Sequence, residues 1–178
     1  ECRRVLFRSA LQLCAAVARV AGRACAVMTA DCLPVLLCDD DASVVAAAHA
    51  GWRGLAAGVL ERTVERMGVA PRRVRAWLGP AIGPAAFEVG GEVRAAFLGA
   101  DPGAAAAFVE GASSGKWLAD LYLLARRRLA VAGVERVDGG GVSTVADPVH
   151  FYSYRRDRIT GRFASLVWLE EGRSVAQA

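Results

Sequence analysis

Residues 24–54 read ACAVMTADCLPVLLCDDDASVVAAAHAGWRG, and the punctuation of this stretch decides the fold. Three short apolar runs, over 24–29, 34–38 and 44–49, are separated by the Thr-Ala-Asp-Cys segment and by an acid-rich turn. Runs of this length bounded by turn residues read as buried strands. Neighbouring strands joined by a turn bring their ends to one side of a sheet. Cys32, between the first two strands, and His49, at the end of the third, are therefore expected to converge.

Working outward, residues 55–67 place Ala56, Val59, Leu60, Val64 and Met67 at helical spacing, with Gly68 suited to a left-handed cap. A further buried strand is predicted over 74–78. It leads into Gly79-Pro80-Ala81-Ile82-Gly83-Pro84, whose prolines fit neither a helix nor a central strand and predict a rigid loop. Short and longer helices are expected over 92–97 and 118–132, the second carrying Arg126 to Arg128 and ending before Gly133, and a last strand over 163–169. The glycine-rich stretches 111–115 and 139–141 read as loops too short to link domains. Strands and helices mix without the regular alternation of a doubly wound sheet, so the class is α+β, layered, in a single domain.

The 178 residues, 54% hydrophobic, are enough for one sizeable core. Lys116 is the only lysine, and the arginines are scattered among acidic residues. That pattern lacks the basic stripe and stacking platforms of a nucleic-acid surface. No long uncharged apolar run suggests a membrane span, so a soluble cytoplasmic protein is expected. Cys2, Cys14, Cys25, Cys32 and Cys38 form an odd set without a Cys-x-x-Cys pair, which argues against a disulfide framework. Residues 3–9, RRVLFRS, match the translation of a common sequencing-library adapter. Residues 1–9 are accordingly read as adapter-derived and 10–178 as the domain. The first nine carry three arginines and one glutamate, so without them the formal charge falls from +4 to +2.

A thiolate and an imidazole brought together suit zinc or copper, or alternatively a nucleophile and its base. On residue type alone the pair is weak, because a buried cysteine is usually structural. Arg53, bracketed by Gly51 and Gly54 ahead of a helix, makes a candidate anion site, with a solvated glycine turn as the plain alternative. Near the C-terminus, Phe151-Tyr152-Ser153-Tyr154-Arg155-Arg156-Asp157 precedes Thr160-Gly161-Arg162. Its aromatics and arginines suit a purine and a phosphate, or equally a structural ion-pair cluster.

Four segments, TADCLPVLL, AHAGWRG, GPAIGP followed by FEV, and FYSYRRDRITGRFASLVWL, together resemble in order and spacing the laccase-domain family, also named polyphenol oxidases. The resemblance covers roughly residues 24–170. It implies a layered α/β/β/α sandwich with mixed β-sheets and a metal, zinc or alternatively copper, bound by two histidines and one cysteine. It also implies purine nucleoside chemistry: phosphorolysis of adenosine, inosine and methylthioadenosine, and deamination of adenosine, with purine nucleosides and phosphate as partners. Carried over by motif, the cysteine ligand falls on Cys32 and one histidine on His49. The other family histidine belongs to an upstream Gln-Val-His-Gly segment that these residues lack, with Asp31 or a water as candidate substitutes. Arg53 is the expected phosphate holder, with Arg155 and Arg156 as second choices. The older naming keeps a copper-dependent polyphenol oxidase as the alternative. Against it stand Ala85-Ala86, where many relatives have cysteine, and a chain with only two histidines. A Cys-His hydrolase and a non-enzymatic metal-binding module are the remaining readings.

Overall fold

A computed structural model of the chain describes residues 15–170. The nine residues read as adapter-derived, together with Cys2 and Cys14, lie outside the described residues.

Strands β1 (Ala15–Ala18), β2 (Ala24–Thr29), β3 (Leu33–Asp39) and β4 (Val45–Ala50) form where the apolar runs lie. The acid-rich turn joins β3 to β4 because the buried Asp39 carboxylate closes it. It accepts from the backbone N–H groups of Ser43 at 2.7 Å and Val44 at 2.9 Å, and from the Ser43 hydroxyl at 2.8 Å. The resulting antiparallel register sets Leu33 opposite Ala50 and Pro34 opposite His49. Cys32 and His49 thus reach the same end of the hairpin, as the sequence predicted.

The helix expected over 55–67 is two helices, α1 (Trp52–Ala56) and α2 (Val59–Met67). Gly58, at φ 83°, takes a left-handed conformation that ends one and opens the other, while Gly68 caps α2 at φ 63° as expected. After β5 (Val74–Leu78) come β6 (Glu88–Gly90), α3 (Gly91–Leu98), β7 (Phe108–Glu110) and β8 (Lys116–Ala119). The long helix α4 (Leu121–Val131) starts later than 118, because the Asp120 side chain accepts from the Leu123 N–H and fixes the start there. The chain ends in β9 (Arg136–Gly139), the one-turn α5 (Tyr154–Asp157) and β10 (Phe163–Trp168).

One five-stranded sheet runs β1-β4-β3-β5-β9, antiparallel except for the β5/β9 pair. Helices α1 and α2 pack on one face of it with α4 against them, and the two-stranded β10-β2 sheet packs on the other. Strand β4 serves both cores by alternation. Ala46, Ala48 and Ala50 face the helices, and Val45 and Ala47 face the β2/β10 layer. Period-two alternation puts His49 on that second face, between the sheets. The three-stranded β6-β8-β7 sheet packs with α3. The architecture is the expected α+β domain of mixed sheets, with the layer order seen through its third layer. The outward face of the β2/β10 sheet, with Met28, Leu166 and Trp168 exposed, carries no helix among the described residues.

Candidate functional site

The turn between β2 and β3 is held by Asp31. Its backbone is left-handed, at φ 86°, which a non-glycine residue adopts only when its surroundings enforce it. The surroundings do so from three directions. The Asp31 carbonyl accepts from the Ile82 N–H at 2.9 Å. One carboxylate oxygen accepts from the Thr144 hydroxyl at 2.7 Å, and the other from the Arg155 N–H at 2.6 Å. The predicted Gly-Pro loop, the segment after the Gly139–Gly141 run and the start of α5 are all tied to the turn that carries Cys32. Tyr122 locks the same loop from below. Its hydroxyl accepts from the Ala81 N–H at 2.8 Å and donates to the Val142 carbonyl at 2.6 Å.

Cys32 and His49, both half-buried, flank Gly51. A Cβ added to Gly51 would lie 3.0 Å from the Cys32 Sγ and 3.7 Å from the His49 Cδ2, so thiol and imidazole share one narrow space. Burial pushes the His49 imidazole below its ordinary value. A hydrogen bond with the Met28 backbone opposes this, and the Arg162 charge adds to it. Burial pushes the Cys32 thiol up, the Asp31 carboxylate pushes it further, and Arg162 opposes both.

The donor chemistry fits a metal. His49 shares a hydrogen bond with the Met28 backbone, and a ring held in that way through one nitrogen is the arrangement usual for a histidine that offers its other nitrogen to a metal. A thiolate beside an imidazole is a zinc or copper donor pair. No group of three or more His, Cys, Asp and Glu side chains that could hold a metal gathers among the described residues, so the pair alone supplies two donors there. Asp31, considered from the sequence as a substitute ligand, spends both carboxylate oxygens on Thr144 and Arg155.

The arginines separate. Arg53 is exposed, with its guanidinium 4.5 Å from the centre of the Trp52 ring and no carboxylate partner among the described residues. Arg155 donates through both terminal nitrogens to the Glu88 carbonyl. Arg156 is a strut, bonded to both Asp157 oxygens and to the carbonyls of Thr144, Val145 and Phe151. Arg162 was quoted in the motif but not singled out by sequence reasoning, and its charge acts on both Cys32 and His49. No sequence signal marked it: the pairing of Phe163 with Thr29, which carries the preceding residue alongside the Cys32 turn, belongs to the fold. Thr29 itself is fully buried, and its hydroxyl has no partner among the described residues.

Residues 5–170 match the family described as multi-copper polyphenol oxidoreductase laccase. The chain belongs to that family. Within this laccase family, the chain is 61% identical over 150 residues to a purine nucleoside phosphorylase of Pseudomonas aeruginosa, an alignment covering 84% of this chain and 62% of that protein. It is 60% identical over 148 residues to a purine nucleoside phosphorylase of Escherichia coli, covering 83% of this chain and 60% of that one. Its structure superposes on a crystal structure of a Neisseria meningitidis protein with a TM-score of 0.86 at 57% identity, covering 88% of this chain and 64% of that one. The chain thus spans about three fifths of the length of the relatives it matches.

Proposed function

We propose that Cys32 and His49 are two ligands of a catalytic metal, zinc in preference to copper, in an enzyme that cleaves purine nucleosides with phosphate. The observation that supports this most is the thiol and imidazole flanking Gly51 in a chain 61% identical to a purine nucleoside phosphorylase. The substrates under this reading are adenosine, inosine and methylthioadenosine, with adenosine deamination as a second activity and the cytoplasm as the setting. A divalent ion held there supplies Lewis acidity toward a substrate oxygen or a water.

The chain's own groups do the rest. Met28 and Asp31 fix the two ligands in place, one through its backbone and the other through its three-way clamp. In phosphorolysis a phosphate oxygen bonds to the ribose C1′ as the bond to the purine nitrogen breaks. The products are ribose 1-phosphate and a free base that takes up a proton. Arg53, exposed above Trp52 and two residues past Gly51, is positioned to receive phosphate charge. Arg155 is available as a second contact only by releasing the Glu88 carbonyl, and Arg156 only by giving up its five acceptors. His150, the chain's other histidine, is bonded to Asp147 at 2.8 Å. The chain therefore offers one histidine at the candidate site, which favours a single-metal centre over a laccase's copper set.

The test incubates the chain, and a full-length version carrying an upstream Gln-Val-His-Gly segment, with inosine or adenosine with and without inorganic phosphate. Phosphate-dependent release of hypoxanthine or adenine with ribose 1-phosphate is expected, and its absence from both proteins overturns the proposal. Oxidation of phenols in place of nucleoside cleavage would favour the copper alternative.

A further inference from the structure

Arg162 is an exposed cation next to the turn that carries Cys32. The β2/β10 register ends at the Thr29–Phe163 pair, so Arg162, the residue just before β10, runs beside the Ala30-Asp31-Cys32 turn. Its backbone approach is fixed by Gly161, where an added Cβ would meet the Tyr152 ring at 2.8 Å. Arg155 and Arg156, on the same segment, are spent on protein acceptors, whereas Arg162 is exposed and has no hydrogen-bonded or carboxylate partner among the described residues.

A guanidinium beside a metal site repels the metal unless an anion sits between them. The oxyanion that binds Arg in a fork and a metal through oxygen is phosphate-like: tetrahedral, with several acceptor oxygens. We propose that Arg162 anchors the inorganic phosphate co-substrate at the mouth of the Cys32–His49 site. This inference rests on the phosphorolytic reading above and adds the residue that selects phosphate over water as the attacking group. An Arg162-bound anion also covers Cys32, which makes its occupancy measurable without turnover.

The experiment alkylates the metal-free chain with iodoacetamide and follows Cys32 alone by peptide mass spectrometry, with inorganic phosphate, sulfate or chloride at matched ionic strength. Phosphate is expected to slow Cys32 modification saturably, chloride not at all, and protection by sulfate as well would mean a general tetrahedral-oxyanion site. Arg162→Gln is expected to weaken the protecting phosphate concentration by about tenfold or more, the scale of a lost charge-assisted contact, and Arg162→Lys to restore part of it. Thermal unfolding of both variants separates loss of the anchor from loss of the fold. Protection that survives unchanged in a folded Arg162→Gln, or no protection in the parent chain, overturns the inference. Neither result depends on nucleoside cleavage, so failure of the phosphorolytic reading registers separately, as missing product in the incubation with inosine.

Discussion

Replacing Gly51 by alanine separates the site from the fold. Gly51 has φ −64° and ψ 158°, a conformation open to any residue, so its backbone does not require glycine. On backbone grounds alone the change stabilises by about 0.4–1 kcal/mol through the unfolded chain. The new Cβ, however, would lie 3.0 Å from the Cys32 Sγ. Non-bonded carbon contacts settle at about 3.5–4.0 Å and sulfur is larger, so the thiol must retreat by roughly 0.5 Å or more. A zinc–thiolate bond of about 2.3 Å tolerates a displacement of only about 0.2 Å. Gly51→Ala should therefore weaken zinc binding by about 10–100-fold, or ~1.4–2.7 kcal/mol, while its melting temperature holds or rises. Competition against a chromophoric chelator measures the first quantity and calorimetry the second. Parent-like zinc affinity in a folded Gly51→Ala protein would refute the reasoning, because it would mean that the ligand is not the thiol beside Gly51.

Other consequences can be checked by unfolding. Thr29→Val removes a fully buried hydroxyl that has no partner among the described residues, so urea titration should find it neutral or up to about 1–3 kcal/mol more stable; a clear loss would show that the hydroxyl does have a partner. Tyr122→Phe strands the buried Ala81 N–H and should destabilise by about 1–3 kcal/mol, and unchanged stability would remove the lock assigned to the Gly-Pro loop. Burial pushes the Asp39 carboxyl up, but the Val44, Ser43 and Asp41 amides and the Ser43 hydroxyl outweigh it and hold it below its ordinary value of 3.8. Its folded pKa being depressed, Asp39 adds stability above the unfolded value that is lost as pH falls from 3.8 through the folded pKa. Asp39→Asn should thus be less stable than the parent at neutral pH and close to it in strong acid, whereas a gap independent of pH would refute the carboxylate's role.

The hairpin of β3 and β4, and with it the convergence of Cys32 and His49, was legible because its apolar runs and acidic turn are local signals. The break at Gly58 was not, because apolar spacing continues through it and only the left-handed backbone shows that the helix divides. The start of α4 was legible in principle, since Asp120 is a cap residue placed before Leu121. Strands β6 to β9 are three or four residues long, too short for alternation to register. In the site, residue type found the thiol and imidazole. It did not distinguish Arg156, bonded on all sides, from Arg162, exposed beside the pair, because that difference lies in which acceptors the fold brings near.

The central claim is that Cys32 and His49 hold the metal, and X-ray absorption at the zinc edge of the zinc-loaded chain tests it most directly. The account predicts one sulfur neighbour at about 2.3 Å with nitrogen or oxygen neighbours at about 2.0–2.1 Å, the sulfur disappearing in Cys32→Ser. A parent spectrum with nitrogen and oxygen neighbours alone, or a sulfur shell that survives Cys32→Ser, would contradict it.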